Sequence, residues 1–161
     1  MASQTLEDLY QEEIADLISA NIQMQTVVDR MASKVHDQNI KKLLTSSVTA
    51  IGKHTTTLRG MHQGDHQTEC RAMAGLTEEA RQHAVDADLP ATLRDVAMLA
   101  HYQRMSHYGM AGFGTAAAYA RALGRTADAT KLSEIVSDIY RADEISSQRA
   151  EIVERAVANA Q

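Results

Sequence analysis

The chain has 161 residues, a single proline, a single cysteine and a formal net charge of −5, which is length enough for one domain with a real buried core. Its charge is spread without a basic run, which excludes nucleic acid and an anionic membrane surface as partners, since both need clustered Lys or Arg. With Cys70 alone, no internal disulfide, zinc knuckle or Cys-x-x-Cys redox pair can form.

Ala, Leu, Met, Glu, Gln and Arg dominate and β-branched clusters are few, an all-α composition. The opening MASQTLEDLYQEE is acidic and leads into no apolar run, and no window approaches a membrane-spanning length. The expectation is a soluble, cytoplasmic protein with one domain over residues 1–161. Thr5, with Asp8 three residues on, is placed to cap the first helix, and Tyr10, Glu13, Leu17, Ala20, Met24, Val27 and Met31 repeat at three and four as one buried face. After a polar turn a second stripe follows: Ile40, Leu44, Ser47, Ile51, His54, Leu58 and Met61. The short connection makes these two helices antiparallel neighbours. Thr55, Thr56 and Thr57 are poor helix formers, so packing has to hold that stretch. Residues 62–90 contain two glycines and end in Pro90, and they read as a long crossover with one or two short helices.

The third long helix begins near Pro90 and stops at Gly124, residue types suited to a helix start and to the position just past a helix end. Its stripe is Met98, Tyr102, Met105, Gly109, Phe113, Ala116, Ala120 and Leu123, with Leu99 and Ser106 at the edge. Gly109, Gly112 and Gly114 each weaken the helix by roughly 1 kcal/mol, so a close-packed seam, a dimer contact or an internal site must offset that loss. Thr126 or Asp128 is placed to cap the fourth long helix, whose stripe is Leu132, Val136, Ile139, Asp143, Ser146, Ala150, Val153 and Val157. The predicted spans are about 4–32, 38–62, 90–123 and 127–159, in two antiparallel hairpins joined by the crossover: a ferritin-like four-helix bundle.

Three motifs point further. Leu9-Tyr10-Gln11-Glu12-Glu13, Cys70-Arg71-Ala72-Met73-Ala74-Gly75-Leu76 and Ala111-Gly112-Phe113-Gly114-Thr115 stand in the order found in the YciE/YciF group of bacterial ferritin-like proteins, which the chain resembles over nearly its whole length. The resemblance implies a ferritin-like bundle, a homodimer and an association with stress responses, without a settled enzymatic activity. It also implies a di-metal centre using the glutamates of a Glu-His-Tyr-Glu motif, where this chain reads Ser106-His107-Tyr108-Gly109. The family's acidic stretch on the second helix is matched by Thr49 to His54, and its Glu-rich stretch on the fourth by Ile139-Tyr140-Arg141. A di-iron centre wants carboxylates from all four helices, and most of them are missing.

Glu13, His54 and Asp143 each interrupt an otherwise apolar stripe. Buried charges need partners, so the prediction is that the three meet in one mid-bundle layer, with the room left by Ser106 and Gly109 filled by water or by Tyr102 or Tyr140. Two readings follow: a hydrogen-bonded, metal-free layer in a non-catalytic structural or interaction protein, or a reduced site holding Fe, Mn or Zn for metal binding or metal-dependent oxidoreduction. Of the remaining polar residues, His62, Asp65, His66 and Cys70 resemble a metal cluster by type but read as solvated loop. His101 and His107 lie off the core stripe, on a solvated, helix-packed or subunit-facing side. There is no Ser-His-Asp arrangement, phosphate-cradling loop or nucleotide fingerprint.

Overall fold

The computed structural model describes residues 4–64 and 68–160. Five α-helices follow in order: α1 (Leu6–Lys34), α2 (Gln38–Met61), α3 (Arg71–Ala80), α4 (Ala91–Ala122) and α5 (Thr126–Asn159), with a single π turn (Arg81–Val85) prolonging α3. The four long helices fall within two residues of the predicted spans.

Each end is fixed by local chemistry. The Thr5 hydroxyl accepts the Asp8 N–H and the Asp8 carboxylate accepts the Thr5 N–H, closing a reciprocal cap on α1. Asp37 caps α2 by accepting the N–H groups of Asn39 and Ile40. At the end of α4, Gly124 takes φ +73°, so that its N–H reaches the Arg121 carbonyl and the Arg125 N–H reaches that of Ala120. A residue without a Cβ is favoured there. The expected cap on α5 is corrected: neither Thr126 nor Asp128 caps it, and Arg125 precedes the helix without a side-chain cap bond. Asp128 is drawn instead to the Tyr10 hydroxyl and to Arg125. The threonine run is held within α2 by bonds from Thr55, Thr56 and Thr57 hydroxyls to the carbonyls four residues back.

In the bundle α1 packs on α2 and α4 on α5, while α1 also packs on α4 and α2 on α5. At one end the buried Asp95 carboxylate of α4 accepts the N–H groups of His36 and Asp37 in the α1–α2 turn, at 2.9 and 2.7 Å, and Asp37 pairs with Arg149 of α5. At the other, Arg125 pairs with Glu7 and lies over the Tyr10 ring. Because α2 and α4 both begin at the Asp95 end of the bundle, they run parallel to one another and antiparallel to α1 and α5. The crossover lies along α1 and α4, fastened to α1 by Gln23 and Ser19 at Cys70 and by Arg30 and Lys34 at Asp86.

The stripes on α2 and α4 are buried as expected except at Leu123, which is half-buried, and Phe113 is fully enclosed. On α5 the buried face is centred on Leu132, Ile135, Ser146 and Ala150, leaving Val136, Ile139, Asp143, Val153 and Val157 half-exposed. The close-packed seam is at Gly112, where a Cβ would stand 2.7 Å from Leu17 Cδ2 and 3.1 Å from Glu13 Oε1, so α1 closes on α4 there.

Candidate functional site

The apolar interior is divided in two. One cluster takes Tyr10, Ile14 and Leu17 from α1, Leu58 from α2, Phe113 and Ala116 from α4 and Leu132 and Ile135 from α5. The other takes α1 from Ala20 onward, α2 up to Ile51, α4 up to Met105, Ala150 and the crossover. Between them each long helix presents polar or small residues: Asn21, His54, Ser106 with Gly109, and Ser146, all buried. A cavity of about 50 Å³ lies in this layer, lined on its polar side by Asn21, Ser47, His54, Tyr102, Ser106 and Asp138.

Two bonds organise the layer. Ser47 and Tyr102 hydroxyls meet at 2.7 Å across α2 and α4, and His54 Nε2 stands 3.4 Å from Asp138 Oδ2, with its ring edge-on to Phe113. Burial holds the His54 imidazole below its ordinary pKa, opposed by Asp138. Asn21 Nδ2 and the hydroxyls of Ser106 and Ser146 are buried without a hydrogen-bond partner in the protein. A buried donor left unmade costs about 1–3 kcal/mol, which makes the layer a place for hydrogen-bonding small molecules, and about 50 Å³ is room for a few waters at roughly 10–15 Å³ each.

The predicted meeting of Glu13, His54 and Asp143 is corrected. Glu13 and His54 stand at close heights, since Glu13 lies against Gly112 and His54 against Phe113, whereas Asp143 meets α4 further along at His107, and no hydrogen bond or ion pair joins any two of the three. Only His54 lines the cavity. Glu13 sits half-buried in the α1–α4 seam, where burial and the neighbouring Asp16 push its carboxyl above the usual range. Asp143 turns to the exposed His107 on α4, Nε2 to Oδ2 3.0 Å, and keeps its other oxygen buried and unpaired. Tyr102 does border the space beside Ser106, whereas Tyr140 is 64% exposed and does not. A straight helix drifts about 20° per seven residues from a strict heptad, so a stripe read across α5 carries Asp143 to the edge of the buried face.

The two residues standing where the resemblance places glutamates, Ser106 and Gly109, both line the cavity. They bring a hydroxyl and no side chain. One half-exposed carboxylate, Asp138, which is also bound by Arg141, and one imidazole complete the ionisable lining. Among the described residues no three His, Cys, Asp or Glu side chains are gathered so as to hold a metal ion. The residues present do not fit a di-metal carboxylate centre.

Sequence reasoning missed a second polar cluster. The Tyr108 hydroxyl donates to Asp16 Oδ2 at 2.8 Å and lies 3.1 Å from Cys70 Sγ, while Cys70 Sγ accepts the Met73 N–H and so caps α3. Burial raises the thiol's pKa. Tyr108 lies between two resemblance motifs, and Asp16 three residues beyond Glu13 was the available signal. Of the loop cluster, Asp65 and His66 lie outside the described residues, and Cys70 is committed to this network. Of the alternatives for the two histidines, His107 takes the solvated one and His101 the helix-packed one, buried beneath the crossover.

Comparison with known proteins agrees with this architecture. The model of the family described as Domain of unknown function (DUF892) matches residues 5–158. Protein YciF of Escherichia coli strain K12 is 24% identical over 143 residues, 86% of either chain. The crystal structure of the E. coli stress protein YciF superposes with a TM-score of 0.90 at 22% identity, covering 95% of this chain and 99% of that one. YcfI from Rhodopseudomonas palustris, a protein with a proposed structural role, superposes at 0.82 with 26% identity, over 89% and 94% of the two chains.

Proposed function

The chain belongs to the DUF892 family, which includes YciF, and from that premise we propose that it is a non-catalytic ferritin-like bundle, acting as a structural or interaction protein in a stress-related setting. The observation that carries this reading is the composition of the mid-bundle layer, where α4 supplies Ser106 and Gly109 around a cavity with one carboxylate and one imidazole. In this reading water, not metal, satisfies Asn21 and Ser106, which line the cavity, and the layer fixes the register of the four helices, because hydrogen-bonded polar groups tolerate few alternative packings. The stress-related setting and the structural role are supported by the descriptions of YciF and YcfI. The working form proposed is a cytoplasmic homodimer, closed two-fold pairs being the commonest soluble assembly.

Metal analysis of protein purified without chelator tests the reading. Substoichiometric Fe, Mn and Zn, unchanged in His54→Ala, is the expected result. One equivalent of any of them per chain, lost in His54→Ala, would establish the alternative of a reduced metal site formed by Glu13, His54 and Asp143 after rearrangement. Light scattering at micromolar concentration checks the assembly, and the mass of one chain would refute the dimer.

A further inference from the structure

The crossover is held to α4 at a contact made of imidazoles. His83, in the π turn, and His101, on α4, lie nearly parallel, with ring centroids 6.3 Å apart and planes 10° from one another. That is an offset stack. His83 is exposed and pairs with Glu79 at 3.4 Å. His101 is only 6% exposed. Beside it, the exposed Arg104 places its Nη1 3.2 Å from His101 Nδ1. A guanidinium has only donors, so the ring nitrogen must accept, and only a neutral imidazole has a lone pair to offer.

We propose that the His83–His101 stack is an acid-released clasp, which holds the π turn on α4 while His101 is neutral and lets the crossover open when His101 takes up a proton. The charged and titratable groups that act on His101 are Arg104 from its own helix, His83 from the π turn and, from α3, Glu79, which alone favours the cation. Protonation replaces an Arg-to-imidazole hydrogen bond by two cations in contact, at a place where the imidazole, though not the guanidinium, is withdrawn from water. Burial, Arg104 and His83 accordingly hold the His101 pKa below its ordinary value. In the opened crossover the ring is free to titrate near 6.5, so opening takes up a proton and is favoured as pH falls below that value. The backbone at this place is already irregular, since a π turn is a strained insertion in a helix. Opening would bare Met73, Ala84, Val85, Met98 and Leu99, all buried against one another in the same cluster.

Hydrogen exchange of the full chain, corrected for the intrinsic rate at each pH, reads the clasp directly. Protection of amides in residues 73–85 is expected to fall by up to about tenfold per pH unit below about 6.5, one proton's worth of linkage, while amides of the α1–α2 hairpin hold theirs. In His101→Phe, which keeps a stacking ring without a titrating nitrogen, and independently in His101→Gln, the crossover's pH dependence should vanish. Crossover protection that is flat from pH 7.5 to 5 in the wild type, or that falls equally in both variants, would overturn the proposal. So would a uniform loss across all helices, which would mark global unfolding.

Discussion

Two glycines two residues apart on α4 ought to respond oppositely to the same methyl group. At Gly114 a Cβ would meet nothing within 4 Å, so Gly114→Ala collects only the helix-propensity gain of about 0.5–1 kcal/mol. At Gly112 the same gain is opposed, because the Cβ would lie 2.7 Å from Leu17 Cδ2 and 3.1 Å from Glu13 Oε1, and Leu17 is fully buried. Forcing one carbon into such a seam costs about 1–3 kcal/mol. Leu17 borders the mid-bundle cavity, and movement into it is the route that would bring the cost to the lower end. The net expectation is a loss of about 0.5–2 kcal/mol for Gly112→Ala and a rise of about 1–4 °C in Tm for Gly114→Ala, at roughly 2–4 °C per kcal/mol in a domain of this size. Urea unfolding with unchanged m-values would resolve both. Equal stabilisation by the two substitutions would refute the claim that Gly112 sets the α1–α4 spacing, and destabilisation by Gly114→Ala would mean that another surface covers that residue in solution.

Asp95→Ala leaves the His36 and Asp37 N–H groups at the α1–α2 turn without their acceptor and should cost about 2–4 kcal/mol by urea unfolding, below the sum of two bonds to a charged acceptor at about 1.5–3 kcal/mol each because water can reach these part-exposed groups; Asp95→Asn, which keeps one acceptor oxygen, should cost less, and equal losses would be contrary to this account. Glu13 titrates above its unfolded value when folded, so its contribution is fully present below the unfolded pKa of about 4.3 and is lost as pH rises through the folded one. Glu13→Gln should therefore raise stability at pH 7 and lose that advantage at pH 4, and a substitution that destabilises equally at both pH values would contradict it. His54, held low by burial, has the opposite pH dependence: its contribution is present above about 6.5 and is lost as pH falls through the lowered value, so His54→Gln should flatten the acid side of the stability profile measured by thermal unfolding.

The fold was legible because its determinants are local and repeated. Apolar residues at three- and four-residue spacing mark the buried faces of α1, α2 and α4, Thr5 with Asp8 marks the start of α1, and Gly124 marks the end of α4 through a backbone shape that favours glycine. The height of the polar layer was legible too, because rise per residue is nearly constant along a helix, and counting inward from the turns puts Glu13 and His54 at similar levels. Partner choice was not. His54 takes Asp138, Asp143 takes His107, and Asp128 leaves its expected capping place for Tyr10 and Arg125. A stripe records which residues face inward to within a few tens of degrees, whereas a hydrogen bond is decided within about 3 Å and a narrow angle. The accumulated twist of a straight helix against a strict heptad exceeds that tolerance within a few turns. Only the packed bundle, with α1 closed on α4 at Gly112 and the crossover laid over His101, fixed which polar atoms meet.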